Sequence, residues 1–303
     1  MPDIEKIAAS VESIKNTFEQ NRYICSNQIA TAVYLAYHLK KPVLIEGPPG
    51  VGKTELAKTT AMMFGLPLIR LQCYEGLDVQ TALYEWDYPR QMLRLRMADG
   101  GAEAPRELEA AIFSRDYLLE RPLLRALTRS GTAPVLLIDE IDRADDAFEA
   151  FLLELLSDFQ VTVPEIGTIR AEHPPHVVLT SNRTRELGDA LRRRCLYLYI
   201  EHPDLEKEVR IIRTRCPQAN DRLAREVGRF LAALREMPLV KPPGVAETLD
   251  FTRALLSLRQ EALEPELVAQ TLGCLLKDKT DLEAVTPAQL AALVVRIREA
   301  AQP

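Results

Sequence analysis

Residues 43–54 impose the tightest constraint on this chain. Val43-Leu44-Ile45-Glu46 runs straight into Gly47-Pro48-Pro49-Gly50-Val51-Gly52-Lys53-Thr54, and residues with helical spacing follow from Glu55 to Phe64. An apolar strand, a glycine-rich turn and a helix in that order make a phosphate cradle. Gly47, Gly50 and Gly52 let the backbone fold back on itself, so that successive N–H groups and a helix N-terminus point at one place. Pro48, Pro49 and Val51 fill the rest of the loop. Lys53 brings a point charge for the β- and γ-phosphates of a nucleotide, and the Thr54 hydroxyl is a candidate ligand for Mg²⁺.

A second pattern, Val135-Leu136-Leu137-Ile138-Asp139-Glu140, ends a short apolar run in two adjacent carboxylates. Such a run, introduced by Pro134, reads as a strand buried on both faces of a parallel sheet. Ligands of these sheets sit at the carboxyl ends of the strands, which places Asp139 and Glu140 beside the glycine-rich loop. Asp139 is the candidate partner of Thr54 on Mg²⁺. Glu140 is the candidate base that polarises a water for in-line attack on the γ-phosphate.

Five strands are expected, over 43–46, 68–73, 135–138, 177–181 and 196–200, separated by helical segments. The fold class is therefore α/β, a three-layer domain around a five-stranded parallel sheet, over residues 1–201. Between Asp146 and Phe159 the apolar positions share one helical face, and 161–163 with 167–169 reads as a small hairpin. From residue 202 to 303 the pattern is helix after helix, interrupted by Lys241-Pro242-Pro243-Gly244, and forms an all-α second domain. Asp99 to Pro105 reads as a flexible surface loop.

The formal charge of −6 argues against a general nucleic-acid binder, which needs Lys and Arg for the phosphate backbone. The five cysteines are scattered with no C-x-x-C pair, as expected of reduced thiols in the cytoplasm. Met1 to Asn21 is polar and charged with helical spacing, so no targeting segment is expected, and no apolar run reaches the length of a membrane span.

The extra strand between the loop strand and the Asp-Glu strand, followed by a helical lid, resembles the AAA+ ATPases. Within them the chain looks like the MoxR family, on GPPGVGKTELAK (47–58), RLQCYEGLD (70–78), ERPLLRAL (120–127), LLIDEIDRA (136–144) and VVLTSNRTRELGDALRRRC (177–195). YEGLD and the last block most resemble the branch associated with maturation of molybdenum hydroxylases such as aerobic carbon monoxide dehydrogenase. The resemblance implies ATP and Mg²⁺ as cofactors, ATP hydrolysis to ADP and phosphate, and a homo-oligomeric, hexameric ring. It also implies a remodelling chaperone that acts with a von Willebrand factor A domain adaptor on a metalloenzyme client, with no nucleic acid.

The same resemblance gives Asn182 the place of the sensor that orients the attacking water. Arg194, with Arg193 as alternative, takes that of an arginine finger reaching a neighbouring subunit. It makes Gln72 a residue able to hold the catalytic Glu inactive, Tyr23 and Ile24 a cover for the adenine unless they are ordinary core, and Arg253 the second sensor. Tyr84, Trp86 and Tyr88 alternate within an expected insertion, so an extended chain would put them on one face; they are partner anchors or packing within the insert. Two other classes share the nucleotide motifs: a DNA-handling AAA+ ATPase of helicase or clamp-loader type, and a small-molecule P-loop kinase.

Overall fold

The computed structural model describes residues 3–98 and 105–300. The chain divides into two compact units. One comprises Met1–Thr17, Asn27–Glu46 and Thr54–Tyr199; the other comprises Phe18–Ser26, Gly47–Lys53 and Ile200–Pro303. The loop expected at Asp99 to Pro105 lies, up to residue 104, outside the described residues, and Pro105 opens the helix Pro105–Ile112.

In chain order the strands are β1 Val43–Glu46, β2 Leu68–Gln72, β3 Tyr84–Trp86, β4 Leu118–Glu120, β5 Val135–Asp139, β6 Gln160–Val163, β7 Gly167–Arg170, β8 His176–Ser181 and β9 Leu196–Tyr199. Five of them make one parallel sheet in the order β2-β5-β8-β1-β9, within a residue or two of where the sequence places them. Parallel neighbours need long crossovers, and helical segments supply them. Every residue of β1 and of β5 is buried, which is why both read as unbroken apolar runs. The edge strand β2 instead alternates: Ile69 and Leu71 are buried while Leu68 and Arg70 are exposed. Arg70 and Gln72 therefore stand on one face of the sheet edge. Register pairs Gln72 with Asp139 and Glu46 with Ser181, lining up the carboxyl ends of four strands.

Local signals set the helix ends. Lys53–Phe64 stops at Gly65, whose φ of +65° a glycine adopts without strain. Asp146–Asp158 begins where the Asp145 carboxylate accepts from Phe148 N at 2.8 Å, and it buries Phe148, Leu152 and Leu155. β6 and β7 form the expected hairpin, one residue longer on each side. A second antiparallel pair, β3 with β4, was not visible in the sequence, and it corrects the aromatic face expected there. Tyr84 and Trp86 are in β3, but Tyr88 starts the helix Tyr88–Ala98. Trp86 is buried edge-on against Phe113 at 5.3 Å, so it is packing within the first unit, whereas Tyr88 is exposed.

The second unit carries its own core between the helices Leu205–Arg215, Asp221–Arg235, Val245–Ser257, Pro265–Thr271, Lys279–Ala284 and Pro287–Ala300. Ile212, Leu223, Phe230, Leu231, Phe251 and Leu255 are fully buried, each worth about 1.5–3 kcal/mol of transfer free energy. Glu208 is buried with them and takes both ends of the Arg235 guanidinium and the Thr248 hydroxyl, so its charge is fully compensated. No helix among the described residues is long and apolar enough to cross a membrane.

Candidate functional site

At the carboxyl end of β5 the Asp139 carboxylate is buried and meets donors from three directions. Thr180 Oγ1, from neighbouring β8, donates to Oδ1 at 2.5 Å. Thr54 Oγ1 lies 3.0 and 3.2 Å from the two oxygens. Arg70, from β2 on the other side, brings Nε at 3.0 Å and Nη2 at 2.6 Å to Oδ2. A carboxylate offers about four acceptor positions, so this one is saturated. Thr54 and Asp139 are both hard oxygen donors and converge, which suits a divalent cation such as Mg²⁺. Among the described residues no cluster of three or more His, Cys, Asp or Glu could hold a metal, so a cation at this pair would complete its shell with phosphate and water.

Glu140 follows with φ 56° and ψ 50°, a left-handed conformation that costs a non-glycine residue on the order of 1 kcal/mol or more. Its N–H donates to the same Thr180 hydroxyl at 2.9 Å, which pins the strained residue to β8. The Glu140 carboxylate, one-third exposed, pairs with Arg143 Nε at 2.8 Å. Gln72 is turned the other way: its amide oxygen accepts from Arg70 Nη2, and its Nε2 donates to Cys73 O at 3.4 Å. Asn182 comes directly after β8. Buried Asp142 fixes this turn by accepting from Asn182 N at 3.2 Å and from Thr184 N and Oγ1 at 2.9 and 2.7 Å. Arg70, Thr180 and Asp142 were all missed by sequence reasoning. The one signal available was the alternation of β2, which sets Arg70 and Gln72 on a common face.

In the second unit, Lys53 is buried and its Nζ donates to Gly47 O and Pro48 O, both at 2.7 Å. Two glycines of the loop have no substitute. A Cβ on Gly47 would lie 2.1 Å from Ile200 O. Gly50 has φ +76°, and a Cβ there would meet Glu247 Oε2 at 2.8 Å and Gly244 Cα at 3.1 Å. Val245 N and Ala246 N both donate to Gly50 O, at 2.9 and 3.3 Å, so it is the first turn of Val245–Ser257 that sits on the loop. Arg253, expected as the second sensor, is in this same helix. It lies two turns further along, about 12 Å by helical rise, with its Nη1 on Asp250 at 3.1 Å. Tyr23 and Ile24 are half-buried in the same unit, with the Tyr23 ring 5.4 Å from Phe18. His202, also in this unit, has a buried Nδ1 without a hydrogen-bond partner among the described residues. Burial first, and then Arg235, hold its pKa below the usual value.

The three arginines of the helix Asp189–Arg194 have different surroundings. Arg192 covers the Tyr197 ring at 5.4 Å and approaches Glu46 Oε2 at 3.8 Å. Arg194 donates to Ser157 Oγ at 2.7 Å and Ala190 O at 3.2 Å. The exposed Arg193 side chain makes no hydrogen bond or ion pair among the described residues.

Two thiols flank these groups. Burial, then the charges of Asp139, Asp142 and Glu140, push Cys73 up to about 12, and burial pushes Cys195 up to about 12. Both folded values exceed the thiol's ordinary 9.0, so the folded chain holds these protons more tightly than the unfolded chain. Their contribution is therefore complete below about pH 9 and is lost as pH rises towards 12. Urea unfolding should show stability falling above pH 9 by on the order of 1 kcal/mol per pH unit for each thiol. Replacing Cys73 and Cys195 together by Ala should flatten that slope; an unchanged slope would assign the alkaline loss to other groups.

The family model of the AAA domain (dynein-related subfamily) matches residues 42–195. An uncharacterized protein of Staphylococcus epidermidis is 24% identical over 259 residues, which are 82% of this chain and 89% of the relative. One of Staphylococcus aureus is 25% identical over 229 residues, 73% of this chain and 78% of the relative. Among solved structures, the Thermotoga maritima RuvB Holliday junction branch migration motor aligns with a TM-score of 0.46 at 18% identity, covering 90% of this chain and 73% of its own. The family match opens one residue before β1, closes one residue before β9, and so takes in the glycine-rich loop, Thr54, Asp139 and the whole crossover between them. It spans more than half of the 303 residues, and the chain belongs to the AAA domain family, dynein-related subfamily.

Proposed function

We propose that this chain is a Mg²⁺-dependent ATP hydrolase of MoxR type, a ring-forming remodelling chaperone of the cytoplasm. The observation that carries the hydrolase reading is the Thr54 hydroxyl 3.0 Å from the Asp139 carboxylate, on the residue directly after Lys53. Loop residues 47–54 wrap the phosphates, and Lys53 exchanges the loop carbonyls for β- and γ-oxygens. Thr54 and Asp139 would hold Mg²⁺, which would supply charge neutralisation to the phosphates. Glu140 takes the proton of the attacking water, and Asn182 orients that water. Tyr23 and Ile24 cover the adenine. Residues 1–201 act as the nucleotide-binding domain and residues 202–303 as its lid.

The MoxR reading rests on the sequence blocks 47–58, 70–78, 120–127, 136–144 and 177–195, and the molybdenum-hydroxylase branch on YEGLD and the last of them. With it come a hexameric ring, an arginine finger from Arg193 or Arg194 that completes the neighbouring site, and a von Willebrand factor A protein that presents a metalloenzyme client. The hydrolase reading is checked by calorimetry on Lys53→Ala: ATP binding should disappear while circular dichroism stays that of the parent. Undiminished affinity would remove the loop from the mechanism. The chaperone reading is checked by turnover, which should respond to a von Willebrand factor A partner and ignore single-stranded and duplex DNA. Stimulation by DNA that weakens steeply with salt would mark a nucleic-acid motor instead. ADP formed only when an acceptor is present, with the phosphoryl group on that acceptor and no free phosphate, would mark a kinase.

A further inference from the structure

We infer that Arg70 is a displaceable counterion of Asp139: it competes with the divalent cation for that carboxylate, and its departure frees Gln72. The inference rests on the reading of Thr54 and Asp139 as the metal–nucleotide pair. Its footing is the arrangement of three side chains from two neighbouring strands.

Arg70 pairs in register with Leu137, two residues before Asp139, and its long side chain spans that offset along the sheet edge. Both of its bonds to the carboxylate fall on one oxygen, Oδ2, which Thr54 Oγ1 also approaches at 3.2 Å, while Thr180 and Thr54 serve Oδ1 at 2.5 and 3.0 Å. Oδ2 thus has no acceptor position left for a cation unless Arg70 withdraws. A guanidinium and a dication on one carboxylate also repel each other, strongly so beside a group that is 3% exposed.

The two partners differ in the way an exchangeable contact requires. Asp139 is fixed by the strand and by Thr180, but the Arg70 side chain is 47% exposed on an edge strand. The guanidinium can therefore move into water at little cost, whereas a buried arginine would have no place to go. The same Nη2 that holds Oδ2 also holds the Gln72 amide oxygen. When Arg70 withdraws, that amide loses its partner, so cation arrival at Asp139 is felt at Gln72. A counterion that only neutralised Asp139 would behave differently, because its removal would weaken the fold without tightening metal binding.

The test uses Mn²⁺ as an electron paramagnetic resonance probe on the full chain saturated with ADP, comparing wild type, Arg70→Gln and Arg70→Lys. ADP affinity in EDTA is measured on all three in parallel. Arg70→Gln should tighten Mn²⁺ about ten-fold, the worth of one charge-assisted contact. Arg70→Lys, which keeps the charge but has a single donor head, should tighten it about three-fold. ADP affinity in EDTA should stay within about two-fold for all three, since among the described residues Arg70 bonds to Asp139 and Gln72. Should Arg70→Gln fail to fold, Arg70→Lys carries the same test with the same sign. Equal or weaker Mn²⁺ binding in a variant that binds ADP normally overturns the inference and leaves the nucleotide site standing. A wild type that binds no ADP in either condition overturns the site reading and this inference with it.

Discussion

Glu140→Gln should bind ATP as tightly as the parent and turn it over about 10²- to 10⁴-fold more slowly, the usual worth of a general base. The amide has the size of the carboxylate, so the left-handed backbone at φ 56° and its N–H bond to Thr180 have no reason to change. Asp139 and Thr54, which hold the metal in the proposed mechanism, are untouched. What disappears is the proton acceptor at the end of β5. Single-turnover hydrolysis of labelled ATP separates this chemical defect from slow product release, and calorimetry reports the retained binding. If single turnover runs at near the parent rate, water activation belongs to another group. The strain at Glu140 favours the assignment, because a costly conformation survives only where surrounding bonds over-determine it. Here the Thr180 hydroxyl bonds to both Asp139 and Glu140 and thereby sets two adjacent acids at one strand end.

Much of this arrangement was written locally. Residues 43–46 and 135–139 lie in strands buried on both faces, so they appear as apolar runs that no helix period explains, and the glycine-rich loop follows directly from one of them. The helix ends at Asp145 and Gly65 are equally local. Contacts that depend on strand order were not legible. Arg70 meets Asp139 only because β2 lies beside β5, and Thr180 meets it only because β8 lies on the other side. Both pairings join residues far apart in sequence, and neither Arg nor Thr in a strand signals its partner. The pair β3 and β4 escaped notice because three-residue strands are too short for alternation to emerge. The distance of Arg253 from the loop was not legible either. Which turn of a helix meets a loop is set by its cap at Gly244, a glycine packed directly on Gly50, and not by the position of the nearest cation.

A mixture of two inactive variants should recover activity if the site is shared between subunits. Removing an arginine finger costs on the order of 10³- to 10⁵-fold in other nucleotide hydrolases, the largest loss expected from any substitution here. The structure sharpens which arginine to change. Arg194 is engaged by Ser157 at 2.7 Å and must give up that bond to reach across an interface. Exposed Arg193 has no side-chain partner among the described residues and pays nothing to do so. Both Arg194→Ala and Arg193→Ala should keep ATP binding, since Arg194 bonds to Ser157 and Ala190 and Arg193 has no side-chain partner among the described residues, and the true finger is the one whose loss stops hydrolysis. Mixed with Lys53→Ala, that variant should regain measurable turnover, because intact loops from one variant then face intact arginines from the other. Statistical assembly leaves only a fraction of such pairings, so the rescue is partial and rises with the proportion of mixed rings. Co-assembly is verified by pulling down differently tagged subunits. If the variants demonstrably co-assemble and stay inactive for both arginines, the finger does not act in trans and the site is complete within one chain.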